Sequence, residues 1–189
     1  MGKWIGSGFF AWLFCRRGLR VADQQRGRLS FYGLGWLICF LFLSSPNYLQ
    51  ADPFKKAGLL GWLGLLISAG ISDYLTFSLS LLDECLVALY LGAYYLWKIP
   101  ERLLFGMGLC SSIGIVSWML GKWKHQQVFG EGDYLIILCN FLVLDALSAL
   151  TSLWLASLSG MIVMLMKHCS RLPFVPFLAL SAILVFLFS

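Results

Sequence analysis

Two aspartates stand out in a chain that carries few charges. Asp73 closes an apolar stretch in Ser68-Ala-Gly-Ile-Ser-Asp73-Tyr-Leu-Thr76, and Asp133 opens another in Phe129-Gly-Glu-Gly-Asp133-Tyr-Leu. A charge at the centre of a bilayer costs about 2.5–3.5 kcal/mol even on the mildest scale, so a carboxylate within or beside an apolar run is a candidate for chemistry. Like charges a few ångströms apart cannot both ionise, so two such groups brought together share one proton. One can then take a proton from water while its protonated partner polarises a carbonyl, which is general acid–base hydrolysis by a carboxyl pair. Taken singly, each aspartate reads equally well as a helix cap at a water interface, with Asp133 as an N-cap. Gly130 and Gly132 tilt the balance for Asp133, because glycine admits unusual backbone conformations and lets another peptide approach closely.

The elements that must position these residues follow from composition. Of 189 residues, 60% are hydrophobic and only 12% charged, against about 45–50% and 25% in a soluble domain. This excludes a disordered chain and a nucleic-acid module, and implies an all-α polytopic membrane bundle. A helix needs about 20 mostly apolar residues to cross the hydrocarbon. Eight runs qualify as candidates: Trp4–Cys15, Leu29–Tyr48, Ala57–Ser72, Leu79–Trp97, Leu103–Gly121, Tyr134–Leu150, Ser152–Met166 and Phe174–Phe188. The first is short enough to be re-entrant or interfacial. The sixth and seventh are separated only by Ala149–Ser152 and read as a tight hairpin.

Two crossings, the fourth and fifth runs, separate Asp73 from Asp133, which puts both at one membrane face. Counting Lys and Arg in alternate loops identifies that face. One side carries nine of the 14 basic residues, five of them within Arg16–Arg28, and is read as cytoplasmic with both termini outside. The net charge of +5 then reflects anchoring to anionic lipid rather than a polyanionic partner. Residues 1–189 read as a single membrane domain, with 16–28 a short basic cytoplasmic loop.

The remaining polar residues rank lower. Asp145 lies twelve residues beyond Asp133, about 18 Å deeper along a helix, and reads as a buried carboxyl bonded to Ser148 or another helix. Asp83 and Glu84 begin the fourth run, where negative charge complements the helix dipole. Cys15, Cys39, Cys85, Cys110, Cys139 and Cys169 form no C-x-x-C pair and read as small packing residues. No metal site is expected. Serine chemistry lacks a G-x-S-x-G, and His125 and His168 fall in basic loops.

These motifs resemble those of the bacterial type 4 prepilin peptidases, membrane-embedded aspartic proteases with a G-x-G-D signature. Gly130-Glu-Gly-Asp133 matches it outright, Asp73-Tyr-Leu-Thr76 is similar to the first-aspartate segment, and Leu172-Pro-Phe-Val-Pro-Phe-Leu178 is similar to a P-F-G-P-F-L signature. The likeness runs from about Ala57 to Phe188. Departures are Leu79-Ser80 in place of Ile-Pro, Leu135 where Lys is frequent, and Val175 in place of Gly. The four-cysteine zinc module of many bifunctional members is missing, and the 16–28 stretch stands in its place.

The resemblance implies cleavage of type IV prepilin or pseudopilin leaders after a glycine, at the cytoplasmic face of the bacterial inner membrane. Asp73 and Asp133 would be catalytic, and Gly130 and Gly132 would give the substrate backbone room. Glu131 or Asp83 would dock a basic leader. Cleavage needs no cofactor, and S-adenosylmethionine enters only if N-methylation of the new amino terminus is retained. Membrane lipids are the other expected partners, and no nucleic acid is expected. Two alternatives stay open: a non-catalytic scaffold or small proton- or cation-coupled transporter using Asp73, Asp133 and Asp145, and a G-x-G-D protease of presenilin-like substrate range.

Overall fold

A computed structural model describes residues 2–21, 28–77, 81–124, 130–167 and 172–189. Among them there are nine helices and no strand: α1 (Gly2–Val21), α2 (Arg28–Ser44), α3 (Pro46–Leu49), α4 (Pro53–Thr76), α5 (Leu81–Lys98), α6 (Pro100–Lys124), α7 (Glu131–Val143), α8 (Ala146–Lys167) and α9 (Val175–Phe188). The eight apolar runs are largely helical, but Ser45 interrupts the second, Leu144–Asp145 interrupts the sixth, the first two residues of the fourth lie outside the described residues, and eight crossings are not borne out. Three helices are long and apolar enough to cross a membrane, over Pro53–Thr76, Pro100–Trp123 and Ala146–Met166. Three more apolar stretches, Phe31–Ser44, Gly132–Val143 and Val175–Phe188, are shorter.

The bundle is built around α4. Its start is fixed locally: Asp52 is the N-cap, its carboxylate accepts the Lys55 N–H at 2.8 Å, and Pro53 takes a position that needs no N–H. The apolar window of α4 is 78% buried, against 11% for α6 and 22% for α8, which sets α4 at the centre and the other two at the rim. Helices α1, α2, α5, α7 and α9 all touch α4. Close approach of α1 depends on small residues. A Cβ on Gly18 would lie 2.7 Å from the Ser68 carbonyl oxygen, and one on Gly64 would lie 2.6 Å from the Phe14 ring. Tight glycine contacts of this kind let helix backbones approach where lipid supplies no hydrophobic drive.

At one end of the bundle an aromatic cluster joins three helices. The Phe42 ring (α2) stacks on Phe186 (α9) at 4.7 Å, and the buried Trp62 ring (α4) lies 6.1 Å from Phe42 and 5.5 Å from Phe186. The short α3 is tied to the same end by Asn47, whose Nδ2 donates to the Phe186 carbonyl at 3.0 Å.

Three expectations are corrected. Residues 16–21 are not loop but the last turns of α1, and Arg28 starts α2; the rest of the expected basic loop, residues 22–27, lies outside the described residues. A helix tolerates Arg there because the guanidinium folds back along its own surface, with Arg16 4.7 Å above the Trp12 ring. The turn between the sixth and seventh runs lies at Leu144–Asp145, not at Ala149–Ser152. Asp145 is accordingly exposed rather than buried, and its carboxylate accepts the Ser148 N–H at 3.4 Å in the first turn of α8. Bonding to Ser148 holds this carboxyl below the usual carboxylate range.

Candidate active site

Asp73 lies in the last turn of α4, and Asp133 in the first turn of α7. Both are buried, each with 8% of its surface exposed. Helices α4 and α7 touch and the charge of Asp133 is felt at Asp73, although 60 residues and two helices separate the two in the chain. A third segment completes the cluster. The backbone N–H of Val175, first residue of α9, donates to Asp73 Oδ2 at 3.1 Å in a buried hydrogen bond. All three segments singled out by motif therefore come together.

Local sequence explains how each carboxylate is held. Gly130 is the N-cap of α7 and has no side chain to cap with, so Asp133, three residues on, reaches back and its Oδ2 accepts the Gly130 N–H at 2.9 Å. This is the returning half of a capping box. Asp133 is thus not the N-cap itself, but its carboxylate does satisfy the helix start. The Gly130 backbone, at φ −74° and ψ 157°, is ordinary extended chain. A Cβ there would stand 3.6 Å from Asp133 Oδ2, an ordinary van der Waals contact, so neither conformation nor packing within the chain demands glycine at this position. Gly132 is buried in the first turn of α7.

Asp73 is placed from outside its own helix. After it, α4 ends on Phe77, whose φ of 53° is left-handed and whose N–H returns to the Asp73 carbonyl at 3.0 Å. Pro173 and Pro176 flank the α9 start, and α9 lies closely on α4, since a Cβ on Gly70 would be 3.8 Å from the Pro176 Cα and 3.7 Å from the Ala179 Cβ. Each carboxylate consequently sits at the N-terminus of a helix, Asp133 at that of α7 and Asp73 at that of α9. Partial positive charge at those ends favours negative charge beside them.

Other expected residues are distributed unevenly. Asp83 and Glu131 fall in the first turns of α5 and α7, and their side chains lie outside the described residues, as do Leu79-Ser80, His125, His168 and Cys169. Glu84 is fully buried rather than at a solvated helix start. The described cysteines are free thiols, and Cys110 points its Sγ at the Tyr134 carbonyl at 3.7 Å, holding α6 beside α7. Among the described residues no group of three His, Cys, Asp or Glu is arranged to hold a metal ion.

Two features escaped the sequence reading. One is the Val175 N–H, since motif likeness flags its segment but not a backbone donor. The other is a buried pair, Trp62 and Asn140, for which a lone Asn within an apolar run was the available signal. No family model, curated protein or solved structure matches the chain. Likeness to the prepilin peptidases rests on the three motifs alone.

Proposed function

We propose that the chain is a membrane-embedded aspartic endopeptidase that removes the leader of type IV prepilins or pseudopilins at the cytoplasmic face of a bacterial inner membrane. The observation that carries this reading is that Asp73 and Asp133 are both buried, at the ends of two touching helices far apart in sequence. In the proposed reaction one carboxylate takes a proton from water as the oxygen attacks the scissile carbonyl carbon. The protonated partner gives its proton to the carbonyl oxygen. On collapse of the tetrahedral intermediate a hydroxyl proton returns to the second carboxylate, the C–N bond breaks, and the leaving amine takes the proton held by the first. The N–H groups of Gly130 and Val175 hold the carboxylates in place, and no metal or cofactor takes part. Docking of a basic leader falls to Glu131 or Asp83.

A proton or cation path through Asp73, Asp133 and Asp145 is the weaker reading, because Asp145 caps α8 at the surface. Co-expression with a pilin precursor tests the proposal, comparing wild type with Asp73→Asn and Asp133→Asn. Leader removal should stop in both. Normal trimming by either variant would sink the aspartyl-pair reading. Mass analysis of the mature pilin reports separately on methylation.

A further inference from the structure

The two aspartate-bearing helices are antiparallel and touch over a limited surface, α7 being packed mainly against α5 and α6. One side-chain hydrogen bond crosses between them. Trp62 Nε1 donates to Asn140 Oδ1 at 2.8 Å, with Trp62 0% and Asn140 2% exposed. Trp62 precedes Asp73 by eleven residues on α4, and Asn140 follows Asp133 by seven on α7. Helix rise puts the bond about 17 Å from the carboxyls along α4 and about 11 Å along α7.

The chemistry of this pair is unexpected for simple packing. Asn140 Nδ2 is buried and without a hydrogen-bond partner among the described residues, a local penalty that a leucine at this position would avoid. Apolar contacts between two helices are tolerant of sliding and rotation, whereas a bond from an indole N–H to an amide oxygen is directional. The Trp62 ring is itself wedged against Phe42 and Phe186, so its N–H is aimed by α2 and α9 as well as α4. A second point of attachment, at a distance from the carboxyls, fixes how far and at what angle Asp133 is presented to Asp73.

We infer that Trp62 and Asn140 are positioning residues, whose hydrogen bond sets the register of α4 against α7 and thereby the approach of the two carboxyls. This inference rests on the proposed protease reading for its catalytic consequence, but its geometric content stands without it. Misplacement of a reacting group by about 1 Å is enough for a hundredfold loss of rate.

The test uses the full chain with Trp62→Phe, which keeps an aromatic ring and removes the donor, and Asn140→Leu, which removes the acceptor. Each is expected to lower kcat for leader cleavage roughly tenfold or more with KM unchanged. Each should also change the pH profile, because two carboxyls that no longer share a proton titrate closer together. The double variant should be no worse than either single one, as expected for partners in one bond. A readout independent of catalysis is oxidative cross-linking of an Asp73→Cys/Asp133→Cys variant in a background whose native cysteines are alanine. Trp62→Phe should slow that cross-link severalfold. An unchanged cross-linking rate, or a kcat loss with an unaltered pH profile, would overturn the inference. So would loss of the folded species in both single variants, which would make the pair a determinant of folding alone. If cross-linking depends on Trp62 while Asp73→Asn still cleaves, the protease reading fails and the positioning stands.

Discussion

Helices α4, α7 and α9 meet twice, and the two meetings are built from opposite materials. At one end Trp62, Asn140 and Phe186 join them through rings and a neutral hydrogen bond, with Phe42 of α2 stacked on the outside. At the other end the Val175 N–H joins α9 to the Asp73 carboxylate of α4, and the Asp133 carboxylate beside them is held by the Gly130 N–H at the start of its own helix. On α4 and on α9 the distance between the two meetings is the same, eleven residues, from Trp62 to Asp73 and from Val175 to Phe186. The difference teaches where rigidity and reactivity are kept. A pair of buried like charges is locally unfavourable, so its helices must be fastened somewhere else, at the apolar end. Side chains at a functional site are held best when the elements bearing them are locked by surrounding packing.

Five substitutions break or sharpen this contrast. The largest effect belongs to the acid end and to activity alone. Asp73→Asn or Asp133→Asn should lower leader cleavage by about a thousandfold, while detergent-solubilised protein unfolds at the wild-type temperature or above. Phe186→Ala should do the reverse, with a stability loss of about 3 kcal/mol read from denaturant unfolding in micelles and cleavage retained in the folded fraction. A smaller loss, about 1 kcal/mol, is expected for Asn47→Ala, which removes the bond to the Phe186 carbonyl. Survival of full stability in either variant would mean that the aromatic end does not fasten the bundle.

The smallest effect is pH-dependent and sits at the start of α4. The Lys55 N–H, then the Tyr94 hydroxyl at 2.9 Å, hold the exposed Asp52 carboxyl below its ordinary value. Because the folded pKa is depressed, the stabilisation is complete above the unfolded value of about 3.9 and fades as pH falls through the folded one. The unfolding temperatures of wild type and Asp52→Asn should differ slightly at neutral pH and converge in acid. A gap that persists or widens in acid would contradict the cap.

Much of the architecture was legible because apolar runs of helix length have few alternatives in so hydrophobic a chain. The runs fold largely as helices, though only three are long and apolar enough to cross a membrane, and both aspartates lie at helix ends, as their places at the edges of runs suggested. What was not legible depended on single hydrogen bonds. Asp145 was read as interior because it interrupts an apolar run, whereas Asp followed by Ser148 three residues later is also the pattern of a helix start, and the chain turns there. Arg16 and Arg17 looked like loop residues because charge was taken to end a helix, yet long basic side chains lie along one. Neither the Val175 N–H nor the Trp62–Asn140 bond has a sequence period, since each links segments that only the tertiary fold brings together.

The lengths of the helices have a consequence for the surrounding lipid. With 24, 25 and 22 residues, α4, α6 and α8 measure about 33–38 Å, whereas α7 and α9, with 13 and 14, measure about 20 Å. A hydrocarbon layer of about 30 Å suits the first group and overshoots the second by about 10 Å. Embedded in such a layer, the protein would draw headgroups inward along α9, which exposes Leu180 and Leu184 and begins at Asp73, whereas α7 has no exposed side among its described residues to meet lipid. In the proposed hydrolysis, this hydrophobic mismatch would shorten the route by which water arrives.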